Sequence, residues 1–232
     1  MNAPRTFVSS YAVAERVNPF LRAVYGWMCV GLIVTALTAT FLASSSTLVT
    51  AVVTNRLLFW GLVIAQLGIV FVLSARVQQL APSTASLLFI GYSALTGVTL
   101  SVVLLVFTGE SIATTFVVTA GMFGALAFYG AVTRRDLTGF GSFLFMGLVG
   151  LILASIVGLF WQNDALQFVI SFIGVIVFTG LTAYDAQRLK VMAMATPSGE
   201  SGSYAIVGAL ALYLDFINLF MFLLRFLGHR RD

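Results

Sequence analysis

Long apolar segments separated by short polar joints dominate the pattern of this chain. Each segment approaches the roughly 20 residues that an α-helix needs to cross a bilayer. The apolar character is continuous rather than alternating, which excludes the β-barrel class. We therefore predict an all-α polytopic membrane protein with seven transmembrane helices, at Val24–Ala43, Leu57–Ala75, Thr84–Phe107, Ile112–Val132, Phe140–Phe160, Phe168–Met194 and Tyr204–Leu227.

The joints between these segments are short and rich in Ser, Pro, Gly and charged residues, which is typical of turns. We therefore predict a single seven-helix transmembrane domain over residues 1–232. Residues 1–23 are expected to form a cytoplasmic tail, since they contain no short apolar core with a small-residue cleavage site after it. Residues 195–203 are expected to form the loop between the sixth and seventh predicted helices.

Composition supports the membrane class, because 60% of the residues are hydrophobic and only 9% are charged. A soluble domain carries about 25% charged residues. The formal net charge of +4 is therefore interpreted as a signal of membrane topology, and no nucleic-acid partner is expected. The single cysteine, Cys29, excludes a disulfide framework and a thiolate metal site.

The distribution of Lys and Arg residues predicts the orientation in the membrane, because cytoplasmic loops are enriched in both. With the N-terminus in the cytoplasm, the inner side holds eight basic residues and the outer side holds four. This count favours an inner N-terminus and an outer C-terminus. The inner residues are Arg5, Arg16, Arg22, Arg76, Arg134, Arg135, Arg188 and Lys190, and the outer ones are Arg56, Arg225, Arg230 and Arg231.

Asp185 and Asp215 are the main candidates for function, because each lies inside an apolar segment where a carboxylate is costly to bury. Each lies 15 residues from Glu200, at the centre of the predicted loop. In an antiparallel hairpin the two carboxyl groups would then lie at similar depth, roughly 15 Å or more from the hairpin tip. This places the predicted pair in the cytoplasmic half of the membrane.

The last predicted helix has one face made of small and polar residues, and its other faces carry Leu, Phe and Met. Such a face is typical of a helix that lines the interior of a bundle. We expect Gly208, Ala211 and Asn218 to support Asp215 there. The whole face comprises Tyr204, Gly208, Ala211, Asp215, Asn218, Phe222 and Arg225.

Two carboxyl groups held close together away from water cannot both ionise at low cost, and their protons belong to the pair. A nearby cation can replace those protons. Arg76 and Arg188 are the internal candidates, and Ca²⁺ is the external one, because it binds carboxylate, carbonyl and water oxygens. Two carboxylates alone predict weak, transient binding. The alternative is that each aspartate only bonds a neighbouring helix, but such bonds average about 0.6 kcal/mol, so we favour a functional role.

Small residues at intervals of three or four residues predict close helix contacts elsewhere in the bundle. One such ridge is Gly150, Ala154 and Gly158 on the fifth predicted helix, and Gly121 and Gly124 mark the fourth.

Two motifs resemble the Bax inhibitor-1 family, also called the transmembrane BAX inhibitor motif family. Residues 178–187 read FTGLTAYDAQ and are similar to its sixth-helix motif. Residues 209–220 read ALALYLDFINLF and, with Leu223, Leu224 and Arg225, are similar to its last helix. The seven-segment layout agrees along the whole chain, and the bacterial YccA/YetJ-like branch is the most similar.

The resemblance implies a fold in which six helices surround a central seventh. It also implies a pH-sensitive Ca²⁺ leak in which Asp185 and Asp215 form the sensor and gate, Ca²⁺ is the transported ion and protons are the regulator. A second-helix arginine latches the pair in the family, and Arg76 occupies that place here. The bacterial cytoplasmic membrane is the location that this branch implies, and we expect no resident cofactor.

Two other functions are alternatives to the channel. One bacterial branch of the family modulates a membrane-bound quality-control protease, so a role through protein contacts in proteolysis or stress is an alternative. Intramembrane aspartyl proteolysis also uses two aspartates on adjacent helices, and Tyr184-Asp185 matches half of its motif. The other half should be Gly-x-Gly-Asp, but the chain has Leu212-Tyr213-Leu214-Asp215. We therefore expect a protein that is not an enzyme.

Overall fold

The structure, a computed structural model, describes residues 10–161, 163–196 and 201–231. Over these residues the chain forms eight α-helices, and seven of them are long and apolar enough to cross a membrane. The predicted all-α polytopic class is therefore confirmed. The helices are α1 (Ser10–Ala43), α2 (Ser46–Thr54), α3 (Arg56–Ala75), α4 (Pro82–Val106), α5 (Gly109–Val132), α6 (Thr138–Phe160), α7 (Asp164–Ala195) and α8 (Ser201–Leu227).

The first helix begins well before its predicted start at Val24. Helix α1 begins at Ser10 and contains Pro19, so the part of the predicted tail from residue 10 onward is helical. Val17, Phe20 and Val24 are all buried in the core. Their spacing of three and four residues places them on one face, so packing against the bundle continues the helix past the proline. Residues 1–9 lie outside the described residues.

Helix α2 lies in the connection between the first two predicted transmembrane helices, where the apolar pattern predicted no separate element. It is too short to span a membrane, but Val49 and Val52 are buried, so its apolar face covers the end of the bundle. Asn55 then ends α2 and starts α3, and its side chain accepts hydrogen bonds from the backbone N–H groups of Leu57 and Leu58. This cap satisfies two of the free N–H groups at the start of α3.

Helix α8 lies at the centre of the bundle, as the family resemblance implied. In its most apolar stretch 61% of the residues are buried, compared with at most 33% in the other spans. It contacts α1, α3, α4, α5 and α7. Helix α6 packs mainly against α7 instead, so the ring around α8 is open on the α6 side.

The glycines that make close helix contacts are mostly not those that the spacing predicted. The expected contacts at Gly150, Gly121 and Gly124 are wrong, because a Cβ atom at any of these positions would meet nothing within 4 Å. Gly130 instead lies directly against the backbone of Ala183, where α5 crosses α7. A regular spacing of glycines identifies a smooth face, but only the bundle decides whether that face meets a helix or lipid.

The connection between α5 and α6 is fastened to α7 at the same end of the bundle as the α7–α8 connection. The Gln187 side chain accepts the N–H of Leu137 at 2.9 Å and donates to the carbonyl of Arg135 at 2.8 Å. Nearby, hydrogen bonds from the side chain and backbone N–H of Thr138 lower the pKa of the exposed Asp136 carboxyl. The central residues of the predicted α7–α8 loop, 197–200, lie outside the described residues.

At the opposite end, residues 228–231 form what we call the C-terminal strap. It runs along the α4–α5 connection, where the N–H of Arg231 donates to the carbonyl of Val106 at 2.9 Å. The carbonyl of His229 accepts the N–H of Thr108 at 3.1 Å. The strap fixes Arg230 next to the ends of α4 and α8, a contact between distant residues that no sequence pattern indicated.

Candidate functional site: a buried pair of aspartates

Asp185 on α7 and Asp215 on α8 lie side by side in the lining of one cavity, and their carboxyl groups are close enough to interact with each other. Asp215 is only 4% exposed, and Asp185 is partly buried. A carboxylate can only accept hydrogen bonds, so a bond between the two groups requires that one of them carries a proton. The structure thus brings together the two aspartates that the hairpin spacing predicted to lie at similar depth.

One oxygen of Asp215 is left unpaired in the described part of the chain. Its Oδ2 atom is buried and forms no hydrogen bond with any of the described residues. Leaving a buried acceptor unpaired costs roughly 1–3 kcal/mol, and more when it is charged. A residue that only joined two helices would have its oxygens satisfied by those helices, so this unpaired atom makes Asp215 a candidate site for a proton or another cation.

The pair lines a cavity of about 770 Å³, which we call the aspartate cavity. It lies in the open side of the ring, between α6, α7 and α8. Asn218 lines it one turn beyond Asp215. The Asn218 amide nitrogen donates to the carbonyl of Leu214 at 2.8 Å, which leaves the amide oxygen available as an acceptor.

A second cavity, of about 380 Å³, adjoins the first toward the α7–α8 connection, and we call it the entrance cavity. Asp185, Arg188, Ala211 and Leu214 line both cavities. Gly208 lines the entrance cavity alone. The predicted supporting residues Gly208, Ala211 and Asn218 thus all lie along the two cavities, in the order of the face on which the sequence placed them.

The structure separates the two candidate arginines. Arg188 lies one turn from Asp185, lines both cavities, and its positive charge acts on the Asp185 carboxyl group. Arg76 lies at the end of α3 and is exposed. It is absent from the described lining of both cavities, although its neighbours Ser74 and Val77 line the entrance cavity. The cation beside the pair in this structure is therefore Arg188.

A third cavity, of about 870 Å³, lies further along the same helices at the other end of the bundle. Arg225 and Arg230 line it, and we call it the arginine cavity. Between it and the aspartate cavity lies Phe222, whose ring stacks on Phe178 with centroids 5.8 Å apart. On α8, Asn218 lines the aspartate cavity, Phe222 follows, and Arg225 lines the arginine cavity. The two rings therefore form an apolar barrier between the cavities.

The oxygens of the pair suit a hard cation, but they are few. Within the described parts of the chain, no group of three or more His, Cys, Asp or Glu side chains could hold a metal ion. Ca²⁺ takes six to eight oxygen ligands, so two carboxylates and one amide oxygen would leave most of its ligands to water. Such a site fits an ion in transit better than one that is stored.

A separate polar cluster on the opposite side of α8 was not predicted. Tyr213 is fully buried, and its hydroxyl lies 2.6 Å from the Thr35 hydroxyl on α1. Thr35 also donates toward the carbonyls of Gly31 and Ser93. The one signal in the sequence was the tyrosine two residues before Asp215, which lies on another helical face. Gln66, which donates to Thr96 at 3.3 Å, makes a similar bond between helices.

These features define an integral membrane protein with seven spans, in which the last helix is central and carries one member of a buried aspartate pair. The model of the family "Inhibitor of apoptosis-promoting Bax1" matches residues 17–232. The chain belongs to this family.

Bacterial relatives are similar over nearly their full length. The inner membrane protein YbhL of Escherichia coli K12 is 52% identical over 218 residues, which cover 93% of each chain. An uncharacterized protein of Deinococcus radiodurans is 44% identical over 219 residues, covering 94% of this chain and 93% of its own. An uncharacterized protein of Borreliella burgdorferi is 43% identical over 217 residues, which cover 93% of this chain and 94% of its own.

Proposed function

We propose that this protein is a pH-sensitive Ca²⁺ leak channel whose gate is the pair Asp185 and Asp215. The observation that carries the proposal is the buried Asp215 carboxyl group, with one oxygen unpaired among the described residues and Asp185 beside it. Burial of such a group is costly for a membrane bundle. A proton or a cation that binds there recovers part of that cost.

The gate follows from the charge of the pair. When one proton is shared, a hydrogen bond joins α7 to α8. When both groups are ionised, two like charges face each other in a medium of low dielectric, where their repulsion is much stronger than in water. The ionised pair then either separates or binds a cation. Proton concentration thus biases the contact between the two helices that line the route.

The route that we propose follows the small and polar face of α8. It leads from the entrance cavity past Asp185 and Asp215 into the aspartate cavity, and it meets the Phe178–Phe222 barrier beyond Asn218. Helix α6 leaves the aspartate cavity open on one side of α8, so the bundle can change width there without breaking its main contacts.

We propose that the entrance cavity faces the cytoplasm. Arg134, Arg135, Arg188 and Lys190 all belong to the end of the bundle at which the α5–α6 connection is fastened to α7. Basic residues are enriched on the cytoplasmic side of membrane proteins. A reporter fused to the C-terminus would test this orientation, because it should be active only if it folds outside the cytoplasm.

The channel accounts for the site better than intramembrane proteolysis does. Both aspartates lie inside continuous helices, Asp164–Ala195 and Ser201–Leu227. The residues that stand in place of the protease glycines are Leu212, which is 0% exposed, and Leu214, which is partly buried. A substrate strand would have to displace these large core side chains in order to reach Asp215.

The proposal is tested by the variant Asp215→Asn, which keeps the size of the side chain and removes its titration. Ca²⁺ entry into proteoliposomes that contain a trapped indicator dye is measured across a pH series. We expect the pH dependence of the flux to be lost in D215N and D185N. Glu110→Gln is the matched control, because Glu110 is an exposed acid at the start of α5. A normal pH profile in D215N would remove the pair as the sensor.

A further inference from the structure

The arginine cavity is lined mostly by polar residues, and the proposed gate does not use it. Seven of its eleven lining residues are polar or charged. It lies between the second half of α6, the start of α7 and the end of α8, so it is at the membrane boundary opposite the entrance cavity. Its two guanidinium groups come from different elements.

Both arginines are held in place independently. Arg225 is in the last turn of α8, with its guanidinium carbon 5.9 Å from the centroid of the Phe222 ring. Arg230 belongs to the C-terminal strap and pairs with Phe107 in an isolated β-bridge. Within the part of the chain that the structure describes, neither guanidinium forms a salt bridge or a hydrogen bond. Their N–H donors, five on each side chain, are therefore available to a ligand.

The neutral groups around the arginines add further donors. The Asn163 side-chain oxygen already accepts the N–H groups of Ala165 and Leu166, at 2.9 and 3.4 Å. Its amide nitrogen is therefore the free end. The amide of Gln167 and the hydroxyl of Ser171 also line the cavity.

One carboxylate, that of Asp164, belongs to the lining as well. The described lining thus carries two positive charges and one negative charge. An excess of positive charge favours binding of an anion over binding of Ca²⁺, so this cavity is suited to an anion even though it lies next to the proposed cation route.

We propose that the arginine cavity binds a phosphate-bearing anion, held by Arg225 and Arg230. The planar guanidinium group matches the geometry of phosphate oxygens and donates two parallel hydrogen bonds to them. Phe160, Trp161 and Phe226 are exposed around this end of the bundle, and aromatic residues concentrate at the level of lipid headgroups. An anionic phospholipid of the adjacent leaflet is thus one source of the phosphate, and free phosphate in solution is the other.

The two sources are separated by native mass spectrometry of the purified full-length protein. In one arm, phosphatidylglycerol is titrated into the detergent solution, and bound lipid is counted. In the other arm, inorganic phosphate is titrated in the absence of lipid. The variants are Arg225→Gln, Arg230→Gln and the double variant. Arg231→Gln is the matched control, because it removes the same charge from the same strap at a residue outside the described lining of the cavity.

We expect each single variant to weaken binding about tenfold, the effect of losing one charge-assisted hydrogen bond, and R231Q to bind as the wild type does. R225K keeps the positive charge but loses the planar guanidinium group. Its binding affinity should therefore lie between those of R225Q and the wild type. Dependence on both arginines in the lipid arm assigns a headgroup, and the same dependence in the phosphate arm alone assigns a free anion. Binding that is equal in wild type, R225Q, R230Q and R231Q would overturn the proposal, as would absence of binding in both arms. Unchanged thermal unfolding of the variants checks that they are folded.

Discussion

Gly174 on α7 lies directly against the ring of Phe222 on α8, because a Cβ atom at position 174 would come within 2.6 Å of that ring. The atoms it would meet are at the base of the ring, which cannot move aside without moving the whole side chain. The central helix thus packs tightly against α7 at the level of the apolar barrier, just beyond the aspartate cavity.

Gly174→Ala should destabilise the bundle by about 1–3 kcal/mol, the usual cost of overpacking a close contact. The measurement is the unfolding midpoint of the purified protein in detergent. Gly150→Ala is the matched control, since a Cβ atom there meets nothing within 4 Å. If G174A and G150A unfold at the same midpoint, the contact between Gly174 and Phe222 is looser than the structure shows.

Phe222→Ala should raise Ca²⁺ flux several-fold at every pH, because it removes half of the barrier between the aspartate cavity and the arginine cavity. The pH dependence should persist, since both aspartates remain. Loss of a buried Phe side chain costs about 3–5 kcal/mol in stability, so flux is normalised to folded protein.

Phe220→Ala controls for that loss of packing. Phe220 is also a buried phenylalanine of α8, but it contacts Phe116 on another face of the helix. A rise in flux that is equal in F220A and F222A would show that general loosening, rather than a barrier at Phe222, limits the leak.

The sequence alone could predict the transmembrane helices and the pairing of the two aspartates. Apolar segments longer than the membrane is thick identify transmembrane helices directly, and α3 to α8 lie within a few residues of their predicted bounds. The depth of Asp185 and Asp215 followed from their equal distance to one turn. Both inferences use spacing along a single helix or hairpin.

Contacts between distant helices could not be predicted in this way. Nothing in the local pattern indicated that the C-terminal strap bonds to Val106 and Thr108, or that Thr35 meets Tyr213. The choice between Arg76 and Arg188 depended likewise on where α3 ends relative to α7. Such relationships depend on the packing of whole helices, which a single sequence does not specify locally.

Arg188→Gln should move the pH midpoint of Ca²⁺ flux upward. The positive charge of Arg188 acts on the Asp185 carboxyl group. Without it the protonated form of the pair is favoured, so a higher pH is needed to remove the proton. The shift should be moderate because Arg188 is exposed and solvent screens its charge.

Arg76→Gln is the comparison that decides between the two arginines. We expect a smaller shift than in R188Q, since Arg76 is exposed and outside the described lining of both cavities. A large shift in R76Q with none in R188Q would instead assign the latch to Arg76, in agreement with the position that the family resemblance implied.

Tyr213→Phe tests whether the polar cluster between α8 and α1 serves stability alone. Thr35 has a single hydroxyl hydrogen, which it directs to a backbone carbonyl, so Tyr213 is the donor of the 2.6 Å bond between the two hydroxyls. Y213F should therefore lower the free energy of unfolding by about 0.5–1 kcal/mol, because it leaves only an acceptor unpaired.

Thr35→Val should cost more, about 1–2 kcal/mol, because it leaves the buried Tyr213 hydroxyl without an acceptor. The double variant should show a coupling of about 0.6 kcal/mol, the average for hydrogen bonds between membrane helices. Tyr129→Phe, at a residue that is 48% exposed, should leave stability unchanged. The pH profile of the flux should be normal in all of these variants, since Tyr213 and Asp215 lie on different faces of α8. A shifted profile in Y213F would instead mean that the two faces of the central helix are coupled.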